Sequence, residues 1–261
     1  EPAHAAAPSA SSLTPGGAPR SAPPNVFWHV GQVTDALRAQ QLGHPPMTIW
    51  LTGLSGAGKS TLAGAVVGIL EQLGIGVALL PFDDYYRDHG HLGIAERALV
   101  NYDHPDSLDL GRFAADLGDL ADGRPVDVPI YDFTDHCRRP ESRRLSPQPV
   151  VITEGILLLA TPDVRRLLDV AVFIDVPEDI RLERRIVRDV EERGRTPESV
   201  RAQFAATVAP MHERFVAPSA AHADGLVDGT GDLAEQAADL AALLVDRLGG
   251  DATIEGVAPH S

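Results

Sequence analysis

Eight residues constrain this chain more than any others. Gly53-Leu-Ser-Gly-Ala-Gly58-Lys59-Ser60 fits the pattern G-x-x-x-x-G-K-[S/T]. The segment before it, Met47–Thr52, is an apolar run of strand length, and the segment after it, Lys59–Leu73, has helical periodicity up to Gly74. A glycine-rich turn between a buried strand and a helix presents several backbone N–H groups, plus the helix N-terminus, to one small anion. Gly53, Ser55, Gly56, Ala57 and Gly58 are therefore read as a phosphate cradle. Lys59 is expected to reach the outer phosphates and the Ser60 hydroxyl to face a Mg²⁺ ion, with Thr61 completing the turn. Of the 22 basic residues, Lys59 alone is lysine. A chain that otherwise uses arginine has the compact ammonium where a planar guanidinium would not fit the turn.

The rest of the chain organises around that turn. Val77–Leu80, Val150–Thr153, Val170–Val176 and Leu226–Val227 read as further strands. Leu108–Ala121, Glu178–Glu192, Pro197–Phe215 and a segment from Asp232 to Leu248 read as helices, the last opened by the capping box Asp232-Leu-Ala-Glu235. Val126–Phe133 is strand-like but broken by Pro129, which suits a hairpin or an edge. Strands alternating with helices predict an α/β fold: a three-layer sandwich around a parallel five-stranded sheet, with a small β-hairpin and a helical lid. Residues 1–24 are almost entirely Ala, Pro, Ser and Gly and are expected to be a disordered tail. A weakly amphipathic helix is expected within 25–46, the main domain over 47–230, a C-terminal helix over 231–248 and a flexible tail over 249–261.

A net charge of −15 argues against nucleic-acid polymers and anionic membranes as partners. No apolar run approaches the roughly 18–20 residues that span a bilayer. The single cysteine, Cys137, allows no internal disulfide, and a cytoplasmic location is the expectation.

Phosphate binding does not specify a reaction, so the discriminating residues lie downstream. Asp83-Asp84-Tyr85-Tyr86 follows the second strand, at the carboxyl edge where ligands bind in open α/β sheets. A carboxylate there can take the proton of an attacking hydroxyl; read alone, the same pair is also an ordinary turn. Glu154 ends a buried strand beside the phosphate cradle and suits Mg²⁺. Between Arg181 and Arg195 stand six arginines against four acids. Arg181, Arg184, Arg185 and Arg188 share one helical face by their spacing, which suits a lid folding over a triphosphate. A solvated helix with internal ion pairs fits the same spacing.

Taken together, the motifs resemble the uridine kinase family, of the bacterial uridine–cytidine kinase kind. The match runs through Gly53–Thr61, Asp83–Tyr86, Asn101-Tyr-Asp-His-Pro-Asp106, Val128–His136 with Arg138, Thr153-Glu-Gly-Ile156 and Arg181–Arg195, over about residues 47–228. The resemblance implies a phosphotransferase using ATP or GTP with Mg²⁺, and uridine or cytidine as acceptor. By that resemblance Asp83 is the general base, with Tyr86 nearby, and Asp103 holds the ribose hydroxyls. Tyr131 and His136 read the pyrimidine edge, while Tyr102 and Phe133 supply aromatic surfaces. Arg185, Arg195 and Gln203 complete the nucleoside pocket, and Arg188 and Arg193 meet the triphosphate. Family members are often homotetramers. Asp84 departs from the small serine common in relatives, and a second carboxylate beside the base implies shared titration. Ser219-Ala-Ala-His222 departs from the usual Thr-Lys-containing run. Other readings are a kinase for a modified nucleoside, a phosphoribulokinase-like sugar kinase, and a non-catalytic nucleotide-binding module. The aromatic residues argue against a sugar acceptor.

Overall fold

A computed structural model of the protein describes residues 47–97, 99–157 and 159–248. The expected tail over 1–24, the helix expected within 25–46 and the tail over 249–261 lie outside the described residues.

The chain opens on β1 (Met47–Gly53), buried at every position, as a central parallel strand must be. Helix α1 (Lys59–Gln72) follows the glycine-rich turn. Then come β2 (Val77–Pro81), a 3₁₀ turn over Phe82–Tyr85, and α2 (Leu110–Ala121). An antiparallel hairpin, β3 (Val126–Asp132) and β4 (Cys137–Leu145), stands apart from the main sheet. Next are β5 (Val150–Gly155), β6 (Val170–Asp175), α3 (Glu178–Arg193), α4 (Pro197–Gln203), β7 (Gly225–Asp228) and α5 (Leu233–Arg247). The main sheet has five parallel strands, as expected, and their order is β2-β5-β1-β6-β7. The chain leaves β1 toward β2 on one side and later crosses it to reach β6. That reversal opens a crevice at the carboxyl ends of the strands.

Alternation along β1 builds the layers. Ile49 and Leu51 face one side, with Leu62, Val66 and Leu70 of α1 and Leu240 and Leu244 of α5. Trp50 faces the other, packing edge-on against Phe82 and Phe113 at centroid distances of 6.1 and 6.3 Å. Asp232 caps α5, accepting the N–H groups of Ala234 and Glu235.

Three details differ from expectation. Helix α2 starts at Leu110 because Asp109 caps it, accepting the Arg112 N–H, while Leu108 bridges to Tyr86. The helix expected over Pro197–Phe215 is α-helical only to Gln203. It widens into π turns at Phe204–Val208 and His212–Val216, on either side of a short α turn, Ala209–Met211. Pro210 lies between them; it has no N–H to donate and its ring crowds the preceding turn, so the helix widens. The hairpin partner β4 has no apolar alternation, its sequence being Cys-Arg-Arg-Pro-Glu-Ser-Arg-Arg-Leu, so pairing with β3 alone makes it a strand.

Candidate active site

The glycine-rich turn has the backbone its glycines predict. Gly53, Gly56 and Gly58 sit at φ +142°, +87° and +88°. Close approach adds to the requirement. A Cβ on Gly53 would lie 2.5 Å from the Ile174 carbonyl oxygen, and one on Gly56 would lie 2.5 Å from the Arg181 carbonyl oxygen. The turn is thus seated against the end of β6 and the first turn of α3. Lys59 is nearly buried and its Nζ donates to the Leu54 carbonyl at 3.0 Å. Ser60 Oγ donates to Glu154 Oε1 at 3.1 Å, joining α1 to the end of β5.

Beside the turn lies a cleft of about 350 Å³. It is lined by Ser55, Lys59, Ser60, Asp83, Tyr86, Tyr102, Asp103, Tyr131, Phe133, His136, Glu154, Arg185, Arg188, Arg193, Arg195 and Gln203, with Thr134 and Ile156. Residues chosen from six separated stretches of sequence, together with Gln203 beyond them, therefore meet in one cavity. Ala57, Gly58 and Thr61 instead line a second depression of about 290 Å³ on the other side of the turn, with Arg184, Gly229 and Gln236.

Within the cleft, Asp83 lies within electrostatic reach of Lys59, Arg185, Arg188 and Arg193 and also of Tyr86. Burial pushes its carboxyl up, against the pull of Lys59, Arg193, Arg188 and Arg185. Its Oδ1 is buried and has no hydrogen-bond partner among the described residues. Burial likewise pushes the Glu154 carboxyl up and the Lys59 ammonium down, although each attracts the other. Asp84 does not line the cleft. It faces away from the cleft and accepts the Tyr131 N–H at 3.4 Å, at the irregularity in β3 between Pro129 and Tyr131.

Among the aromatic residues of the cleft, Tyr86 is edge-on to Tyr102 and Phe133 and tilted against Tyr131, with centroids 5.3–6.3 Å apart. His136 stacks on Tyr102 at 4.7 Å and 15°. His136 is also the one non-glycine residue at positive φ (+52°) among the described residues, which turns its ring back over the cleft. Arg138 fastens the hairpin here, its Nε donating to the Tyr86 carbonyl at 2.8 Å while its guanidinium pairs with Asp109 at 3.3 Å. Asp103 is nearly buried, and burial raises its carboxyl against the pull of Arg185. The Thr207 hydroxyl, on the first π turn, lies 3.3 Å from Asp103 Oδ2 and 3.2 Å from the Gln203 carbonyl.

The arginine segment divides in a way its spacing does not show. Arg185 and Arg188 of α3, with Arg193 and Arg195, line the cleft. Arg181 does not: it is 3% exposed and its Nε donates to the Val176 carbonyl beneath the turn. Arg184 also turns away, donating to the Gly229 carbonyl at 3.1 Å. Arg181 is buried where its carbonyl meets Gly56, and Arg184 reaches the loop after β7, so only the later part of the stripe meets the cleft. The four remaining arginines surround Asp189, whose side chain is fully buried. Residue-by-residue reading missed Asp189 and Thr207. The signal for Asp189 was an acid four residues from both Arg185 and Arg193.

No helix among the described residues is long and apolar enough to cross a membrane. A family model described as "Phosphoribulokinase / Uridine kinase family" matches residues 48–233. The chain is 46% identical over 183 residues to a uridine kinase of Shewanella piezotolerans, covering 69% of this chain and 86% of that protein. It is 43% identical over 188 residues to a uridine kinase of Ligilactobacillus salivarius, covering 72% and 87%. Among solved structures it resembles phosphoribulokinase from Rhodobacter spheroides, with a TM-score of 0.55 at 16% identity over 71% of this chain and 73% of that one, a likeness of fold. With its glycine turn, parallel sheet and arginine-lined cleft in one frame, the chain belongs to the phosphoribulokinase/uridine kinase family.

Proposed function

We propose that this protein is a nucleoside kinase that transfers the γ-phosphoryl group of ATP or GTP to the 5′-hydroxyl of uridine or cytidine, a pyrimidine-salvage reaction. The observation that carries the reading is the position of Asp83, with phosphate-binding cations on one side and an aromatic, carboxylate-bearing recess on the other. The relatives named uridine kinase support it.

The reaction needs an acceptor oxygen aligned with the γ-phosphorus, neutralisation of the moving charge, and removal of one proton. Asp103 suits two ribose hydroxyls, since a carboxylate accepts both. The base would rest among Tyr102, Phe133 and His136, with Tyr131 and His136 facing its polar edge. The 5′-hydroxyl then points toward Asp83. Its raised affinity for a proton, caused by burial, suits a base that must take one from an alcohol as the bond to phosphorus forms. The glycine-turn N–H groups and Lys59 hold the β- and γ-phosphates, and Arg188 and Arg193 neutralise the charge that spreads over the phosphoryl oxygens. Arg185, Arg195 and Gln203 form the wall between the two ends, Gln203 Oε1 accepting from both arginines.

The residues present fit Mg²⁺. Ser60 and Glu154 offer hard oxygen donors in contact with each other. Among the described residues no group of three His, Cys, Asp or Glu side chains converges on a metal position. A site of one carboxylate and one hydroxyl, completed by phosphates and water, is the kind Mg²⁺ accepts. The ion would neutralise phosphate charge. A cytoplasmic location and a homotetrameric assembly are part of the same reading.

The test is a panel of nucleosides and sugars with Mg·ATP and Mg·GTP, read by nucleoside diphosphate and monophosphate formation. Turnover of uridine and cytidine is expected; no turnover of any pyrimidine nucleoside overturns the reading. Sugar phosphorylation without it would favour a phosphoribulokinase-like enzyme.

A further inference from the structure

Asp189 is the one carboxylate in the arginine cluster that faces neither end of the cleft. Its Oδ1 lies 2.7 Å from Arg188 Nη2 and 3.5 Å from Arg193 Nη1. Its Oδ2 lies 3.3 Å from Arg195 Nη1 and 3.6 Å from Arg185 Nε. The main chain repeats the arrangement. Gly194, at φ +62°, ends α3 and turns the chain back, and the Asp189 carbonyl accepts the N–H groups of Gly194 and Arg195. That turn is what brings Arg193 and Arg195 to the same carboxylate as Arg185 and Arg188. The other acids facing these arginines, Asp83 and Asp103, belong to the acceptor end.

A carboxylate has about four lone-pair sites, whereas each guanidinium carries five N–H donors. Asp189 therefore fixes the four arginines without satisfying Arg185, Arg188 and Arg193, which keep surplus donors facing the cleft, whereas Arg195 directs its donors to Asp189, Gln203 and Ser199. Asp189 also competes with any phosphate for the same groups. Placement favours transfer, because charge stabilisation by groups already in position needs no reorganisation at the moment of reaction. Competition works the other way, weakening affinity for the bound triphosphate.

We propose that Asp189 is a positioning residue that holds Arg185, Arg188, Arg193 and Arg195 in the geometry for phosphoryl transfer at the expense of ground-state affinity for the nucleotide. The inference rests on the nucleoside-kinase reading for its kinetic arm and on the arginine geometry alone for its binding arm.

The variant is Asp189→Asn, which keeps shape and removes charge. In steady-state assays with Mg·ATP and uridine, kcat is expected to fall about 100-fold, the loss typical of a misplaced reacting group. Calorimetric titration with Mg·ADP and with inorganic tripolyphosphate is expected to give Kd values equal to or several-fold below those of the parent protein. A merely structural role predicts the opposite for binding, with weaker Kd alongside a lower Tm. The proposal is overturned if kcat stays within about threefold of the parent, or if the Kd values weaken in proportion to the kcat loss. Should Asp189→Asn fail to fold, Asp189→Glu retains the charge one methylene further out; reduced kcat at unchanged Kd is expected, and full kcat overturns the proposal. If the parent protein phosphorylates no nucleoside, the functional reading fails, and the tripolyphosphate titration still decides the role of Asp189.

Discussion

Gly56→Ala tests whether the glycine turn and the arginine-bearing helix are one mechanical unit. Gly56 sits at φ +87°, and an added Cβ would lie 2.5 Å from the Arg181 carbonyl oxygen and 3.2 Å from the Arg181 Cα. The left-handed backbone costs an L-residue about 1–2 kcal/mol. The obstacle is main chain in the first turn of α3, so no side chain can swing aside, and overpacking of that kind costs about 1–3 kcal/mol. The expected destabilisation is their sum, about 2–5 kcal/mol, or roughly 4–20 °C in Tm for a domain of this size. Relief requires the turn and α3 to separate, which moves Arg185 and Arg188 relative to Lys59. A displacement near 1 Å lowers kcat/KM by about 100-fold. The assay is urea and thermal unfolding beside steady-state kinetics with Mg·ATP. Gly64→Ala is the control, because Gly64 lies inside α1 with nothing within 4 Å of its added Cβ. That substitution is expected to stabilise the protein by about 0.5–1 kcal/mol. A Gly56→Ala protein with parental Tm and nucleotide affinity, or a Gly64→Ala protein destabilised to the same extent, would mean that the turn and α3 are not one mechanical unit.

Two further substitutions probe the acceptor end. Asp83→Asn is expected to lower kcat by about 10²–10⁴-fold with little change in Mg·ADP affinity. The parent's kcat/KM should fall, as pH drops, at a pH above the ordinary carboxylate range, because burial raises the Asp83 pKa. The same shift sets a stability signature. A carboxyl with a raised folded pKa stabilises the fold below its unfolded pKa and loses that contribution as pH rises through the folded pKa. Asp83→Asn should therefore melt above the parent at neutral and alkaline pH, with the gap closing in acid; a gap that opens in acid contradicts the assignment. Thr207→Val removes the hydroxyl beside Asp103 Oδ2. A hydrogen bond to a charged group contributes about 1.5–3 kcal/mol, so nucleoside KM should rise about tenfold or more while ATP KM holds. A parallel rise in both would assign Thr207 to general packing.

Much of the molecule was legible because it is written in short-range chemistry. The glycine turn needed only its own residues, and the observed positive φ angles fall at three of its glycines. Strands β1, β5 and β6 are apolar and β-branched runs that central parallel strands require, and they appear where expected. The residues that line the cleft were recoverable from motifs, although their convergence was not. Ser60 and Glu154 are 94 residues apart in sequence, and Asp103 and Thr207 are 104 apart.

Where the sequence misled, the deciding partner was distant. Strand β4 carries arginines and no alternation, and only its ladder with β3 reveals it. Asp83 and Asp84 are neighbours, yet the first faces the cleft and the second supports the hairpin through the Tyr131 N–H. The two carboxylates still feel each other, since burial and, with it, the Asp83 charge raise the Asp84 carboxyl, but they contact different parts of the fold. The even arginine stripe became a buried support, Arg181, a contact to the β7–α5 loop, Arg184, and two cleft residues, Arg185 and Arg188, which meet Arg193 and Arg195 on Asp189.

The glycine turn between a strand and a helix and the parallel α/β sheet were both legible, because each depends on residues within a few positions of one another. Packing alone set which arginines line the cleft, which of the two adjacent aspartates lines it, and which buried carboxylate gathers the cations. Those choices depend on which way α3 and the hairpin lean over the carboxyl edge of the sheet, and that is set by packing between residues far apart in the chain.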